Sequence, residues 1–168
     1  MRTARRIKPY SSGDREWGRW VPLPPLTSNG DLPLGVHRAS LQEVLDRFGT
    51  GSRQRMAVAE RLERVYRLAH ATGHLARFVV FGSFVTDKPE PRDVDVFLVM
   101  DDAFDGGTLP REAALVFDHS SADAHFGASV FWVRRLAAFG GEHAAVQYWQ
   151  VKREGGRRGI LEIIEEMP

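Results

Sequence analysis

Two aspartates one residue apart, Asp93 and Asp95, stand in an otherwise apolar, β-branched run that continues Val96-Phe97-Leu98-Val99-Met100. Alternate residues of a strand share a face, so both carboxylates point one way while Val94 and Val96 point toward a core. Adjacent carboxylates repel, and burying them is costly unless a cation lies between them. Oxygen-only donors at this spacing suit Mg²⁺ or Mn²⁺, although an edge strand with one wetted face gives the same pattern. Upstream, the run Phe78-Val79-Val80-Phe81 leads directly into Gly82-Ser83. A glycine at a strand end admits a phosphate close to the backbone, and a serine hydroxyl with successive N–H groups can hold its oxygens. Lys88 and Arg92 flank the connection to the aspartates, within reach of a phosphate or simply solvated.

Several elements must position these residues. Ser40-Leu41-Gln42-Glu43 is a capping box, and Leu41, Val44, Leu45 and Phe48 follow at helical spacing, which predicts a short helix ending near Gly49. Residues 52–70 place Met56, Ala59, Leu62, Val65, Tyr66 and Ala69 on one stripe, with most of the arginines and glutamates elsewhere; Gly73 marks the stop. Strands are predicted at 78–81, 93–100 and 129–133, a helix at 110–117, and a short helix or turn at 134–139. The final stretch reads as two strands, 145–152 and 159–164, joined by a glycine-bearing turn that carries Lys152, Arg153, Arg157 and Arg158. Residues 1–38, rich in Arg, Pro, Gly and Ser, form an extended arm whose Trp17, Trp20, Val21, Leu23 and Leu26 are too apolar for a free tail. The domain proper is expected over 39–168, α/β or α+β with a mixed central sheet.

The 168 residues fit one domain; 43% are hydrophobic and 27% charged, so the bulk of the chain should fold. Lys and Arg number 23 against 22 Asp and Glu, a net charge of +1, which argues against a protein that works by coating nucleic acid. A local basic patch at 152–158 leaves a nucleic-acid partner conceivable but not favoured. The absence of cysteine removes disulfides, thiolate metal sites and cysteine nucleophiles. His119, His125 and His143 are too irregularly spaced for a zinc site. No apolar run approaches the roughly 18 residues of a membrane span, and no apolar stretch follows the basic N-terminus, so no membrane association and a cytoplasmic location are expected.

Taken together, a strand ending in Gly82-Ser83, a short connection and Asp93-x-Asp95 in the next strand resemble the nucleotidyltransferase superfamily, which includes DNA polymerase β, poly(A) polymerases and the small bacterial minimal nucleotidyltransferases. The stretch from Gly82 to Asp95, with Tyr148-Trp149-Gln150 and Arg158-Gly159-Ile160, is also similar to a group of uncharacterised small bacterial proteins within it, over roughly residues 30 to 164. The resemblance implies a mixed sheet flanked by helices. It makes Gly82 and Ser83 nucleotide-binding, with Lys88 and Arg92 beside them, and Asp93 and Asp95 both catalytic and ligands of Mg²⁺ (or Mn²⁺). It also calls for a third acid on a later strand, where this sequence has Ser129; Asp123, or Asp118, is the carboxylate available, and Asp123 completes the expected metal set. The implied activity is transfer of a nucleoside monophosphate from an NTP, ATP among them, to an acceptor hydroxyl. That acceptor could be carried by a protein partner, as in toxin–antitoxin or phage-defence pairs. Two other readings stand beside it: a nucleotide-sensing or partner-binding module of the same fold without the third acid, and a plain structural domain.

Overall fold

The structure, a computed structural model, describes residues 21–165. Five strands form one mixed sheet: β1 (Val36–Ala39), β2 (Leu75–Phe81), β3 (Val94–Met100), β4 (Ala128–Arg134) and β5 (Ile160–Ile163). Their order is β1-β5-β2-β3-β4, with β1/β5 and β3/β4 parallel and β5/β2 and β2/β3 antiparallel. Among the described residues five helices flank it: α1 (Leu41–Phe48), α2 (Arg53–Ala71), α3 (Arg111–Val116), α4 (His119–Phe126) and α5 (Glu142–Tyr148). The fold is α+β, as the sequence leads one to expect.

Strand alternation divides the core in two. Val94, Val96, Leu98 and Met100 of β3 join Val58, Leu62, Val65, Phe84 and Phe126 in the larger cluster. Phe97 and Val99 join Val79, Ile160 and Val146 of α5 in a smaller one on the other face, with Phe81, Phe131 and Trp149 packed against it. Asp95 has the parity of Phe97 and therefore belongs to this second face, at the β3 end nearest the turn after β2. The β3-to-β4 connection runs through α3 and α4, the helical crossover that parallel neighbours require.

The predicted capping box is present: Glu43 N donates to Ser40 Oγ (3.2 Å) and Ser40 N to Glu43 Oε2 (2.6 Å). Ser52 caps α2 by accepting from Arg55 N at 3.1 Å. The buried stripe of α2 is Arg55, Val58, Ala59, Leu62, Val65 and Ala69, whereas Met56, expected inside, is exposed.

Three expectations are corrected. Residues 145–152 are not a strand: α5 occupies Glu142–Tyr148, because Ala145, Val146 and Trp149 at helical spacing cover the second sheet face. The two-strand hairpin therefore does not form; Val151 and Arg157 make a lone antiparallel bridge, and β5 pairs with β1 and β2 instead. The break expected at residue 38 falls inside β1, and Leu32 is already fully buried in the core, so the folded body starts within the segment read as an arm. Leu23 and Leu26 pack on that core while Val21 is exposed; Trp17 and Trp20 lie outside the described residues. Among the described residues no helix is long and apolar enough to cross a membrane.

Candidate functional site

The antiparallel register sets Phe81 opposite Asp95, so the turn leaving β2 lies directly over the second carboxylate. Gly82 there has φ +78°, and a Cβ on it would fall 2.0 Å from Asp95 Oδ2. Only a residue without a side chain permits this approach, and a left-handed φ by itself costs an L-residue about 1–2 kcal/mol. Gly82→Ala should accordingly melt earlier, by about 2 kcal/mol in unfolding free energy once the clash is included. Unchanged stability would mean that Asp95 can swing away from the turn.

After Gly82, residues Ser83–Val85 make one turn of 3₁₀ helix, closed by Thr86, whose Oγ1 donates to Ser83 O (2.7 Å) and accepts from Lys88 N (3.2 Å). Helix α2 grips this loop from below. The Arg55 guanidinium, on a residue only 7% exposed, donates to the carbonyls of Phe48 (2.9 Å), Phe84 (3.0 Å), Thr86 (2.6 Å) and Lys88. Gln54 Nε2 donates to Pro91 O at 2.8 Å and Arg61 Nη1 to Arg92 O at 3.1 Å. The loop between glycine and aspartates is thus shaped by side chains of a helix that sequence reading assigned only to the core and to solvent.

On the other side of Asp95 lies β4, whose Ser129 is its register partner. Ser129 Oγ donates to Asp93 Oδ2 at 3.4 Å. The position where a third acid was sought therefore presents a hydroxyl. Burial raises the Asp95 pKa to about 6, with Asp93 adding to the rise; Arg153, Arg158 and the hydrogen bond from Ser129 oppose it. The rise comes first from burial and then from the neighbouring Asp93 carboxylate, so ionising Asp95 in the folded protein is costly.

These residues open into a cleft of about 600 Å³. Gly82, Ser83, Thr86 and Lys88 line one side, Asp93, Asp95 and Ser129 the floor, and Trp149, Lys152, Arg153, Glu154 and Arg158 the other side, where Glu154 Oε1 lies 4.0 Å from Lys152 Nζ. Trp149 stacks at a tilt on Phe81, ring centroids 4.4 Å apart, and lies 4.8 Å from Phe131, so it serves the smaller core and the cleft at once. The basic wall is a strap, residues 150–159, closed on itself by Lys152 N to Gly156 O (3.0 Å) and Arg158 N to Gln150 O (2.8 Å).

Of the residues singled out from sequence, Gly82, Ser83, Lys88, Asp93 and Asp95 meet in this cleft. Arg92 is exposed and is not part of its lining. Asp123 is not there either: it lies on α4 beside Glu60 and Arg61, in a separate surface depression. Asp118 caps α4 through Ser121 N at 2.8 Å. Among the described residues no group of three or more His, Asp or Glu side chains is arranged to hold an ion. The donor set at the floor is therefore two carboxylates, enough for a single Mg²⁺ or Mn²⁺ that completes its octahedron with water and ligand phosphates, and too few for a pair of ions. Sequence reading missed Arg55, although continuing the stripe 58-62-65-69 back by three residues reaches it. It noted the 152–158 cations without being able to place them beside the acids.

Residues 24–164 match a family described as a family of unknown function, DUF6932. No curated protein and no solved structure matches the chain.

Proposed function

The chain belongs to the DUF6932 family, whose function is unknown, and from its own cleft we propose that it binds a nucleoside triphosphate and transfers the nucleoside monophosphate to an acceptor hydroxyl. The observation that carries this reading is that Asp95, packed under Gly82, shares one cleft with Asp93 and with Lys152, Arg153 and Arg158. Gly82 and Ser83 present the backbone at a strand end to phosphate oxygens, and Lys88, Lys152, Arg153 and Arg158 supply compensating charge. Asp93 and Asp95 would hold one Mg²⁺ or Mn²⁺, which supplies charge neutralisation and alignment of the phosphates when bound. The acceptor oxygen attacks the α-phosphorus and gives up its proton to solvent water, the bond from the α-phosphorus to the bridging oxygen of the β-phosphate breaks, and pyrophosphate leaves on the side of the strap cations. Catalysis of this kind is positioning and electrostatics, so the protein contributes shape and charge rather than a covalent step. A hydroxyl on a partner protein, as in toxin–antitoxin pairs, is the acceptor we propose.

Ser129 favours a second reading, a module that holds the nucleotide without transferring it, because the β4 position facing Asp95 lacks the acid that would activate an acceptor. Thermal unfolding with each of the four NTPs, with and without Mg²⁺ or Mn²⁺, tests both. A nucleotide at about a hundred times its Kd stabilises the native state by roughly 2.7 kcal/mol. The expected result is a metal-dependent upward shift with at least one NTP that disappears in Asp93→Asn/Asp95→Asn. The same mixtures supplemented with cell extract and an α-phosphate-labelled NTP, analysed for label joined to protein and lost in Asp93→Asn/Asp95→Asn, separate transfer from holding. No shift with any NTP under either metal would remove the nucleotide from both readings.

A further inference from the structure

We infer that Asp31, which lies outside every motif of the site, is a positioning residue: it fixes Lys152 and Arg158 as a preformed cationic wall for the phosphate chain of the nucleotide. This rests on the nucleotide-binding reading above. Asp31 Oδ2 is 3.1 Å from Lys152 Nζ and Asp31 Oδ1 is 3.5 Å from Arg158 Nη1. The three side chains are only 15%, 22% and 20% exposed, so the pairing is weakly screened and the long cationic side chains are held in one arrangement. The strap's base is fastened to the same segment: Gly159 N donates to Leu32 O (2.9 Å) and Gly35 N to Gln150 Oε1 (2.7 Å), with the Gln150 side chain fully buried. A Cβ on Gly159 would fall 2.0 Å from Pro33 O, so strap and segment are in close backbone contact.

The residue before Asp31 holds the opposite wall. Gly30 O accepts from Asp87 N at 3.0 Å, and a Cβ on Gly30, whose φ is +79°, would lie 2.0 Å from Asp87 Oδ1. Consecutive residues of one turn thus contact both the Ser83–Lys88 loop and the basic strap. Ordering a lysine and an arginine only when ligand arrives would subtract their side-chain entropy from affinity; Asp31 has them ordered beforehand.

Removing a negative charge beside an anion site tightens anion binding if electrostatics alone acts, whereas it weakens binding if that charge is what holds the cations in place. Titration with inorganic tripolyphosphate, in the absence of metal, reads the wall directly. Asp31→Asn is expected to weaken tripolyphosphate binding at least tenfold, Asp31→Glu to recover part of the loss, and Lys152→Gln/Arg158→Gln to weaken it at least as much. Circular dichroism melts confirm that each variant is folded. Asp31→Asn binding as tightly as the parent, or more tightly, overturns the inference. Should Asp31→Asn not fold, unchanged affinity in Lys152→Gln/Arg158→Gln overturns it instead. If the parent binds neither tripolyphosphate nor Mg²⁺–ATP, the nucleotide reading falls and this inference with it; if the parent binds Mg²⁺–ATP and only the sign at Asp31 is wrong, this inference falls alone.

Discussion

Arg55→Met is expected to cost about 3 kcal/mol or more of unfolding free energy and to lower the melting temperature by roughly 10 °C, although Met keeps the apolar stem of arginine as far as Nε. The guanidinium gathers four carbonyls, from Phe48 at the end of α1 and from Phe84, Thr86 and Lys88 in the loop after β2. Without it those acceptors are left to whatever water can reach them, and an orphaned buried polar group costs about 1–3 kcal/mol. Arg55→Lys should recover only a fraction, since an ammonium cannot fork toward four carbonyls arranged around a plane. The loss should also be local: amides of residues 83–88 should exchange with solvent far faster in Arg55→Met, while those of β3 keep their protection relative to global stability. A variant within about 1 kcal/mol of the parent would mean that the loop holds its shape unaided.

Asp95→Asn should act in the opposite direction and stabilise the protein, by about 3 kcal/mol at pH 8. The Asp95 carboxyl is raised from 3.8 to about 6 in the folded state. A group whose folded pKa lies above its unfolded value favours folding while protonated, and that contribution is complete below pH 4 and lost as the pH rises through 6. Above pH 7 the native state therefore carries an ionised carboxylate that the unfolded chain would solvate better, at about 1.4 kcal/mol per pKa unit. Asparagine keeps the shape and discards the charge. Melts of parent and variant from pH 4 to pH 8 should coincide at the acid end, diverge between pH 4 and 6, and run parallel above 7; a gap that does not vary with pH would refute this account. Added Mg²⁺ or Mn²⁺ should close the gap from the parent's side only. Stability given up at a pair of acids is the usual mark of a residue kept for function rather than for the fold.

The parts of this molecule that follow local rules could be read without coordinates. The Ser40 capping box, the apolar stripe of α2 and the β2 and β3 runs each rest on residues close in sequence, and Gly82 stands at a strand end beside a serine. What could not be read depends on distant pairing. Residues 145–152 mix aromatic and β-branched types with alternating polarity, which favours a strand locally, but the sheet face above Phe97 and Val99 needed a cover, and a helix presenting Val146 and Trp149 supplies it. Asp123 looked close to the β4 strand in sequence, yet it lies one turn back along α4, from which Gly127, in a left-handed conformation, redirects the chain into the sheet. The cations at 152–158 are some sixty residues beyond the aspartates, and only the return of the chain toward Asp31 brings them to the same cleft.

The strand order has a consequence for how the chain assembles. β5, latest in sequence among the described strands, lies between β1 and β2, and β1 has no other sheet neighbour. During vectorial synthesis, β2, β3 and β4 can pair while the chain is still being extended, whereas Val36–Ala39 stays without a hydrogen-bonding partner until Ile160–Ile163 has been made. Closing that gap of more than a hundred residues is an entropically slow, late step. Until it occurs the Asp31 segment and the strap that leads into β5 are not held together, so the cleft is completed only at the end of folding, and a nascent chain that has not yet reached residue 150 carries the two acids without their cationic wall.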